Sequence, residues 1–448
     1  MTGRSTSFIQ GTEPASKGGE PLRKFLLDVG LSWPQKSAAN RQQLLDLLVK
    51  LSLDLGMPTL WKFSIGRHPS KPTENTLYMA LDTRYTGWSS DLKRLEARDA
   101  LHRHLRRAAE VVGGIGKSYS GMIEDVLTTH EQFKKVLQHG RARYRVPGYV
   151  NLSDYDLRLA INGHLPDDSQ LWIDDTIVDM QPGLFSAIDK KHLRDDAALR
   201  RFKLYLGAYL VWAVSPVLAS HLDHAMHVDM GHQLPALKRK TRDCLASVSH
   251  LMPLVIWKVQ SDYVKNQSRA WHVLSLLVRS AVKIIRAYSA ELAAQATEAT
   301  SHLAINALNM TVTWSTLDQI YDFIPADAGN GSYFDHYRRA AQAAMRVWKK
   351  SLRRPQLSFY HLPGTAREAA YRILVIREVT ISFAYLVPPM MVPDHPLAVS
   401  LATMGTQMAS DVQVLLQTIL LYDDQFSVRG TARMTARFAL YFGYMLDH

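Results

Sequence analysis

Leu204-Tyr-Leu-Gly207-Ala-Tyr-Leu-Val-Trp212-Ala-Val-Ser215-Pro216-Val-Leu-Ala-Ser220 runs for 17 residues without a charge. Its reading decides between a membrane-spanning chain and a large core of buried helices. A bilayer crossing needs about 20 predominantly apolar residues, and Gly207, Ser215 and Pro216 interrupt this run. A buried core helix is the better reading, and no transmembrane helix is expected. Outward from it, helical periodicity fills nearly every window from residue 193 to about 307, broken mainly around 232–235 and at Pro253. The chain has 448 residues, 47% hydrophobic and 21% charged, which suffices for such a core and excludes wholesale disorder. With 24 Gly and 19 Pro, collagen-like and Pro-rich readings fail too.

Toward the N-terminus, residues 1–18 read as a flexible tail, too poor in apolar side chains to pack. Leucines at helical spacing predict helices over 21–29 and 41–55, with Gly30 and Gly56 as terminators. The apolar runs 60–65 and 77–81, separated by Gly66, Pro69 and Pro72, predict two strands of a small β insert. A long amphipathic pattern then covers 91–112 and 118–137, broken at Gly113-Gly114-Ile115-Gly116. Ser153, Asp154 and Asp156 mark another helix start. Near the C-terminus, 371–376 and 379–386 predict strands, stopped by Pro388, Pro389 and Pro393 before a last helical pattern over 397–421. The fold class is mainly α: a large helical domain (19–360) with small β inserts, then a strand-strand-helix unit (361–448). No repeat of 20 to 50 residues suggests a solenoid.

Fifty-three Lys and Arg against 41 Asp and Glu give a net charge of +12. The positive charge is scattered in short clusters at 141–145, 238–240 and 349–354, which suit solvated helix faces, so nucleic acid is not an expected partner. The single cysteine, Cys244, excludes an intramolecular disulfide and a cysteine-rich zinc site. Nothing near Met1 has the apolar stretch of a signal peptide.

Four patterns invite a chemical reading. Gly116-Lys117-Ser118 ends like a phosphate loop, but Val111 stands where the first glycine belongs, leaving a helix-helix turn. His221, His224 and His227, with Asp223, Asp229 and His232 nearby, place imidazoles along one flank of a helix, where two could approach a metal. Histidine near a helix C-terminus is equally favourable without a ligand. His130-Glu131 begins like His-Glu-x-x-His, but position 134 is Lys, and none of the 18 histidines has another four residues away. Asn151, Asn266, Asn309 and Asn330 each open a glycosylation sequon.

Several stretches resemble the neprilysin and endothelin-converting-enzyme family of zinc metallopeptidases. They include Pro21-Leu22 through Trp33-Pro34, Gly56-Met-Pro58 leading into 61–65, 75–82, Asn151-Leu152, Leu204-Tyr-Leu206 with Trp212, and 244–271. The sharpest lies between Arg377-Glu378-Val379 and Pro388-Pro389. The resemblance implies the family's helical N-terminal domain followed by the start of a thermolysin-like catalytic region. Counted without gaps from Pro388, it puts Ser410 and Val414 at the zinc histidines and Asp411 at the general-base glutamate. A second register, anchored on Tyr422-Asp423-Asp424, puts Leu416, Gln417 and Leu420 there instead. The family's peptide-binding Asn-Ala-Tyr stretch corresponds to Ala369-Ala370-Tyr371.

Zinc hydrolysis needs about three protein ligands and a metal-bound water. Neither register supplies the histidines, and no glutamate follows Glu378. The expectation is a member without zinc or another cofactor, truncated within the catalytic region, that binds a peptide or a protein rather than cutting it. Two alternatives stay open: a fragment of an active zinc endopeptidase involved in proteolysis, and a basic helical protein that is structural or binds nucleic acid. Active relatives use zinc, and the resemblance implies a cell-surface or extracellular location.

Overall fold

A computed structural model describes residues 19–57, 59–67, 74–82, 84–141, 148–151, 154–181, 183–231, 304–307, 314–322, 333–353, 370–373 and 378–381. It also describes a few single residues and pairs between 251 and 262, and residues 399 and 403. The expected tail (1–18) and last helix (397–421) lie outside the described residues, apart from residues 399 and 403. The chain divides into two compact units. The first comprises 1–66, 75–247 and 322–357, the second 67–74, 248–321 and 358–448.

The first unit is built on helices, as a mainly α chain should be. Helices α1 (Glu20–Asp28) and α2 (Arg41–Leu53) form where leucine spacing predicts them, and Gly30 and Gly56 adopt φ of +89° and +59° just beyond their ends. Asn40 caps α2: its side chain accepts from the Gln43 backbone N–H at 2.7 Å, and Gln43 accepts in return from Asn40 N–H at 3.4 Å. Leu44, Leu45, Leu47, Leu48, Val49, Leu51 and Leu53 are all buried, so α2 is enclosed on most sides.

The continuous pattern expected over 91–112 is two helices, α3 (Arg84–Glu96) and α4 (Leu101–Gly113). The chain turns between them with Asp99 at φ +52°, so a left-handed residue other than glycine ends α3. Helix α5 (Ser120–Arg141) follows the glycine turn, where Gly114 and Gly116 take positive φ and Tyr119 Oη donates to the Gly114 carbonyl at 2.7 Å. The phosphate-loop lookalike is thus a helix-helix connection.

Two four-residue strands are absent from the sequence-based expectation. They are β3 (Gly148–Asn151) and β4 (Thr176–Asp179), which join β1 (Trp61–Arg67) and β2 (Asn75–Leu81) in the order β1-β2-β4-β3. Strand β2 runs parallel to β4, pairing Tyr78 with Val178, and β3 runs antiparallel to β4. Between β3 and β4, α6 (Tyr155–Gly163) starts at Asp154, whose carboxylate accepts from the Leu157 N–H at 3.0 Å.

Helix α7 (Leu184–His192) leads to α8 (Asp196–Leu218), which contains most of the uncharged stretch and is buried along its length. Pro216 cannot donate to the Trp212 carbonyl, and Ser215 Oγ supplies that hydrogen bond at 3.1 Å. Helix α9 (Ser220–Asp229) then leaves at 110°. Among the described residues no single helix is long and apolar enough to cross a membrane. Helix α11 (Tyr333–Lys350) returns to this unit, packing Phe334 edge-on against Phe25 with ring centroids 5.0 Å apart.

Arg41 ties three helices together. Its guanidinium pairs with Asp154 at 2.5 Å, Asp156 at 2.5 Å and Asp189 at 2.7 Å. Replacing Arg41 by Met leaves three carboxylates facing one another. Because all four side chains keep some solvent contact, the expected loss is about 1–3 kcal/mol, read from the midpoint of urea unfolding.

In the second unit, α10 (Trp314–Ile320) accompanies a three-stranded sheet in the order β5-β7-β6. Strand β5 (Ala304–Ala307) occupies the end of the window read as helical, a correction whose cause is long-range pairing: it lies parallel to β7 (Glu378–Ile381), more than 70 residues away. Strands β6 (Ala370–Ile373) and β7 form at the expected place as an antiparallel pair, shorter than the apolar runs suggested.

Candidate functional site

Among the described residues, strand β6 is an outer strand. It pairs Ala370 with Ile381, Tyr371 with Thr380, Arg372 with Val379 and Ile373 with Glu378, and among the described residues nothing pairs with its other edge. In an antiparallel pair alternate residues exchange both hydrogen bonds with the partner strand, and those between turn their backbone groups outward. An outer edge of this kind is a ready template for an extended peptide, which gains main-chain hydrogen bonds by joining as a further strand. Ala370 and Tyr371, singled out by the resemblance, open this strand, while Ala369 lies just outside the described residues.

The other expected site residues are not brought together. His221 and His224 are exposed on α9. His227 is half-buried, its Nδ1 2.9 Å from the Asp223 carbonyl and 3.3 Å from the Asp223 carboxylate. Asp229 pairs with Arg103 at 3.0 Å and Arg107 at 3.1 Å. Among the described residues there is no group of three or more His, Cys, Asp or Glu side chains able to hold a metal ion. Ser410, Asp411 and Val414, the alternative positions 416, 417 and 420, and the sequons at Asn266, Asn309 and Asn330 lie outside the described residues. Asn151 ends β3. By donor chemistry Ser410 and Val414 do not fit zinc, since a neutral hydroxyl is a poor ligand and an isopropyl group is none.

Two polar clusters in the first unit escaped the sequence reading. In one, Tyr205 Oη accepts from Trp88 Nε1 at 3.2 Å, donates to Tyr85 Oη at 3.3 Å and lies 3.0 Å from His130 Nδ1. Burial, reinforced by Lys134, lowers the His130 pKa to about 4, so the imidazole is neutral at pH 7. His130, first met as half of a zinc signature, is a core residue. In the other, His164 places Nδ1 2.7 Å from Asp54 and Nε2 3.0 Å from Asp46, an arrangement that suits the imidazolium. Burial alone would lower its pKa, but the hydrogen bond and charge of Asp54, with those of Asp46, outweigh burial and raise it. Lys349 closes the cluster, donating to Asp54 and to the His164 carbonyl, both at 2.7 Å. Its members are too far apart in sequence to leave a local signal.

Against known proteins, a model of the N-terminal region of peptidase family M13 matches residues 6–293. The chain belongs to peptidase family M13. Among solved structures, it is similar to the zinc metalloprotease Zmp1 of Mycobacterium tuberculosis in complex with an inhibitor, with 16% identity and a TM-score of 0.60. That match covers 92% of this chain and 63% of the other. It is also similar to PepO from Lactobacillus rhamnosis, with 12% identity and a TM-score of 0.62 over 92% and 66% of the two chains. At such identities the likeness concerns the fold. The M13 chain described here spans just under two thirds of the length of either structure. No curated protein sequence matches it.

Proposed function

We propose that this M13 family member binds extended peptides along the edge of β6 that is unpaired among the described residues, and does not hydrolyse them. The observation that carries the reading is the outer position of β6, at the segment where the sequence resembles the family's peptide-binding stretch. The absence of any two histidines four residues apart in the sequence supports the non-hydrolytic half. With Ser410 and Val414 at the zinc-ligand positions, Asp411 would have no metal-acidified water to deprotonate.

Fluorescence anisotropy with labelled extended pentapeptides tests the binding. Saturable binding is expected, weakened at least tenfold when alternate peptide amides are N-methylated, because main-chain hydrogen bonds carry strand addition. Equal affinity for methylated and unmethylated peptides, or no binding, refutes this mode. Elemental analysis after dialysis is expected to find no stoichiometric zinc. Chelator-sensitive cleavage of a reporter peptide would overturn the non-hydrolytic reading.

A second reading, part of an active zinc endopeptidase, is favoured by the share of the solved structures that the chain spans. Sequencing the complete transcript decides it, because an added segment carrying His-Glu-x-x-His would restore the missing ligands.

A further inference from the structure

Helix α6 buries one face and carries apolar side chains on the opposite one. Leu157, Ala160 and Ile161 turn inward, while Tyr155 and Leu159, one helical turn apart, are exposed. Asn162 continues their stripe and grips the chain that follows. Its Nδ2 donates to the Leu171 carbonyl at 2.9 Å, and its Oδ1 accepts from the Leu171 N–H at 2.8 Å. These two bonds hold Trp172 and Ile173, 73% and 63% exposed, beside the C-terminal end of the same helix.

Trp172 and Ile173 are displayed on a fixed turn. The Trp172 N–H donates to the Asp175 carboxylate at 2.7 Å, and the Asp175 N–H returns to the Trp172 carbonyl at 3.1 Å. Arg353, just beyond α11, anchors the turn by donating to the Gln170 carbonyl and to Asp175, both at 2.8 Å. Single exposed apolar side chains are ordinary, but four within one short hydrogen-bonded segment make a patch of the kind that marks an interaction site. A turn already held in place loses little further freedom on binding. The charge of this segment is opposite to that of the chain. Against a net +12, residues 154–175 contain six aspartates and one arginine. Arg41 takes up Asp154 and Asp156, Arg353 takes up Asp175, and Arg158 lies over the Tyr155 ring, 5.7 Å from its centroid. Asp167, Asp168 and Asp174, on either side of Trp172 and Ile173 in the chain, are exposed. Carboxylates beside an apolar patch disfavour an anionic lipid surface and favour a cationic partner.

We propose that this surface docks a cationic amphipathic segment of a partner protein. Apolar side chains of the partner would cover Trp172 and Ile173, and its lysines or arginines would face Asp167, Asp168 and Asp174. Buried tryptophan is among the side chains that carry most of the energy of such contacts, while the carboxylates at the rim set which partner is accepted. The surface belongs to the first unit and rests on none of the reasoning about β6.

The test is fluorescence anisotropy of the full chain with a labelled amphipathic helical peptide of lysine and leucine. Saturable binding is expected, weakened at least tenfold by Trp172→Ser/Ile173→Ser and at least tenfold by Asp167→Asn/Asp168→Asn/Asp174→Asn. Trp172→Ser alone, a milder change at an exposed position, is expected to weaken it at least fivefold. Far-UV circular dichroism checks that each variant is folded. The counterpart peptide of glutamate and leucine is expected to show no difference between the parent chain and the variants. Absence of saturable binding, or lysine-peptide affinity unchanged in the folded variants, overturns the proposal. So does self-association in sedimentation velocity, or binding to phosphatidylserine-containing vesicles, that is lost with Trp172→Ser, because the patch would then belong to a second copy or to a bilayer.

Discussion

Acidification from pH 7 to 4.5 is expected to unfold the first unit before its carboxylates are largely protonated. Three histidines cause it. His104, His130 and His192 are 4%, 5% and 2% exposed, and burial lowers each pKa from 6.5 to about 4. Nearby Arg107 acts in the same direction on His104 against Asp229 and Asp223. Lys134 does so on His130 against Glu131, and Lys191 and Arg201 on His192. The unfolded chain takes up these protons near pH 6.5 and the folded chain only near 4. The stability they permit is therefore full above 6.5 and falls as the pH drops toward 4.

A shift of that size corresponds to roughly 3 kcal/mol for each histidine. Together they rival a typical total of about 5–15 kcal/mol. His164 works in the opposite sense: with its pKa raised, it stabilises below 6.5 and loses that contribution as the pH rises through its folded value. One such group offsets the other three only in part. Circular dichroism across a pH series checks the result, and His192→Phe sharpens it. The His192 ring stacks on Phe202 with centroids 5.4 Å apart, and its Nε2 is buried without a partner. The variant should hold neutral-pH stability and unfold at a lower pH. An acid midpoint identical to that of the parent chain would refute the assignment.

Gly207→Ala is expected to destabilise the protein by about 1–3 kcal/mol, although helix propensity alone predicts a gain of about 1 kcal/mol. The two effects differ in sign, so one measurement separates them. A Cβ added at Gly207 would fall against Trp33 Cδ1, 2.6 Å from Cγ and 2.9 Å from the Trp33 Cβ. Trp33 is 5% exposed and stands within the core, so its ring has little room to withdraw. Guanidinium unfolding of the two proteins gives the difference. A rise in stability would mean that the indole moves aside.

Gly207 also shows what can be read from sequence and what cannot. The uncharged run around it predicts a buried helix, and α8 is one. That its glycine receives an indole from a segment about 170 residues earlier has no local signature. The same division holds elsewhere. Helices α1 and α2 and strands β1 and β2 carry periodic apolar side chains with glycine or proline stops, so their places follow from the sequence. Strands β3, β4 and β5 have four residues each and owe their conformation to distant partners. The break before Ala100 is missed because Asp99 takes a left-handed backbone angle that glycine adopts routinely and aspartate only occasionally. For the candidate site, the sequence marks the segment of β6 through a resemblance, but its position as the outer strand depends on β5 and β7.

The interrupted path of the first unit bears on its synthesis. Asn75 Nδ2 donates to the Ser351 carbonyl at 2.6 Å, a contact between residues 276 positions apart, and Lys349 joins Asp54 and His164. Translation at about 5–20 residues per second delivers residue 351 roughly 14–55 s after residue 75. Until then the nascent chain lacks α11 and keeps uncovered the apolar surfaces that this helix later seals. Throughout that interval the growing polypeptide carries exposed apolar surface, the kind that promotes association between unfinished chains.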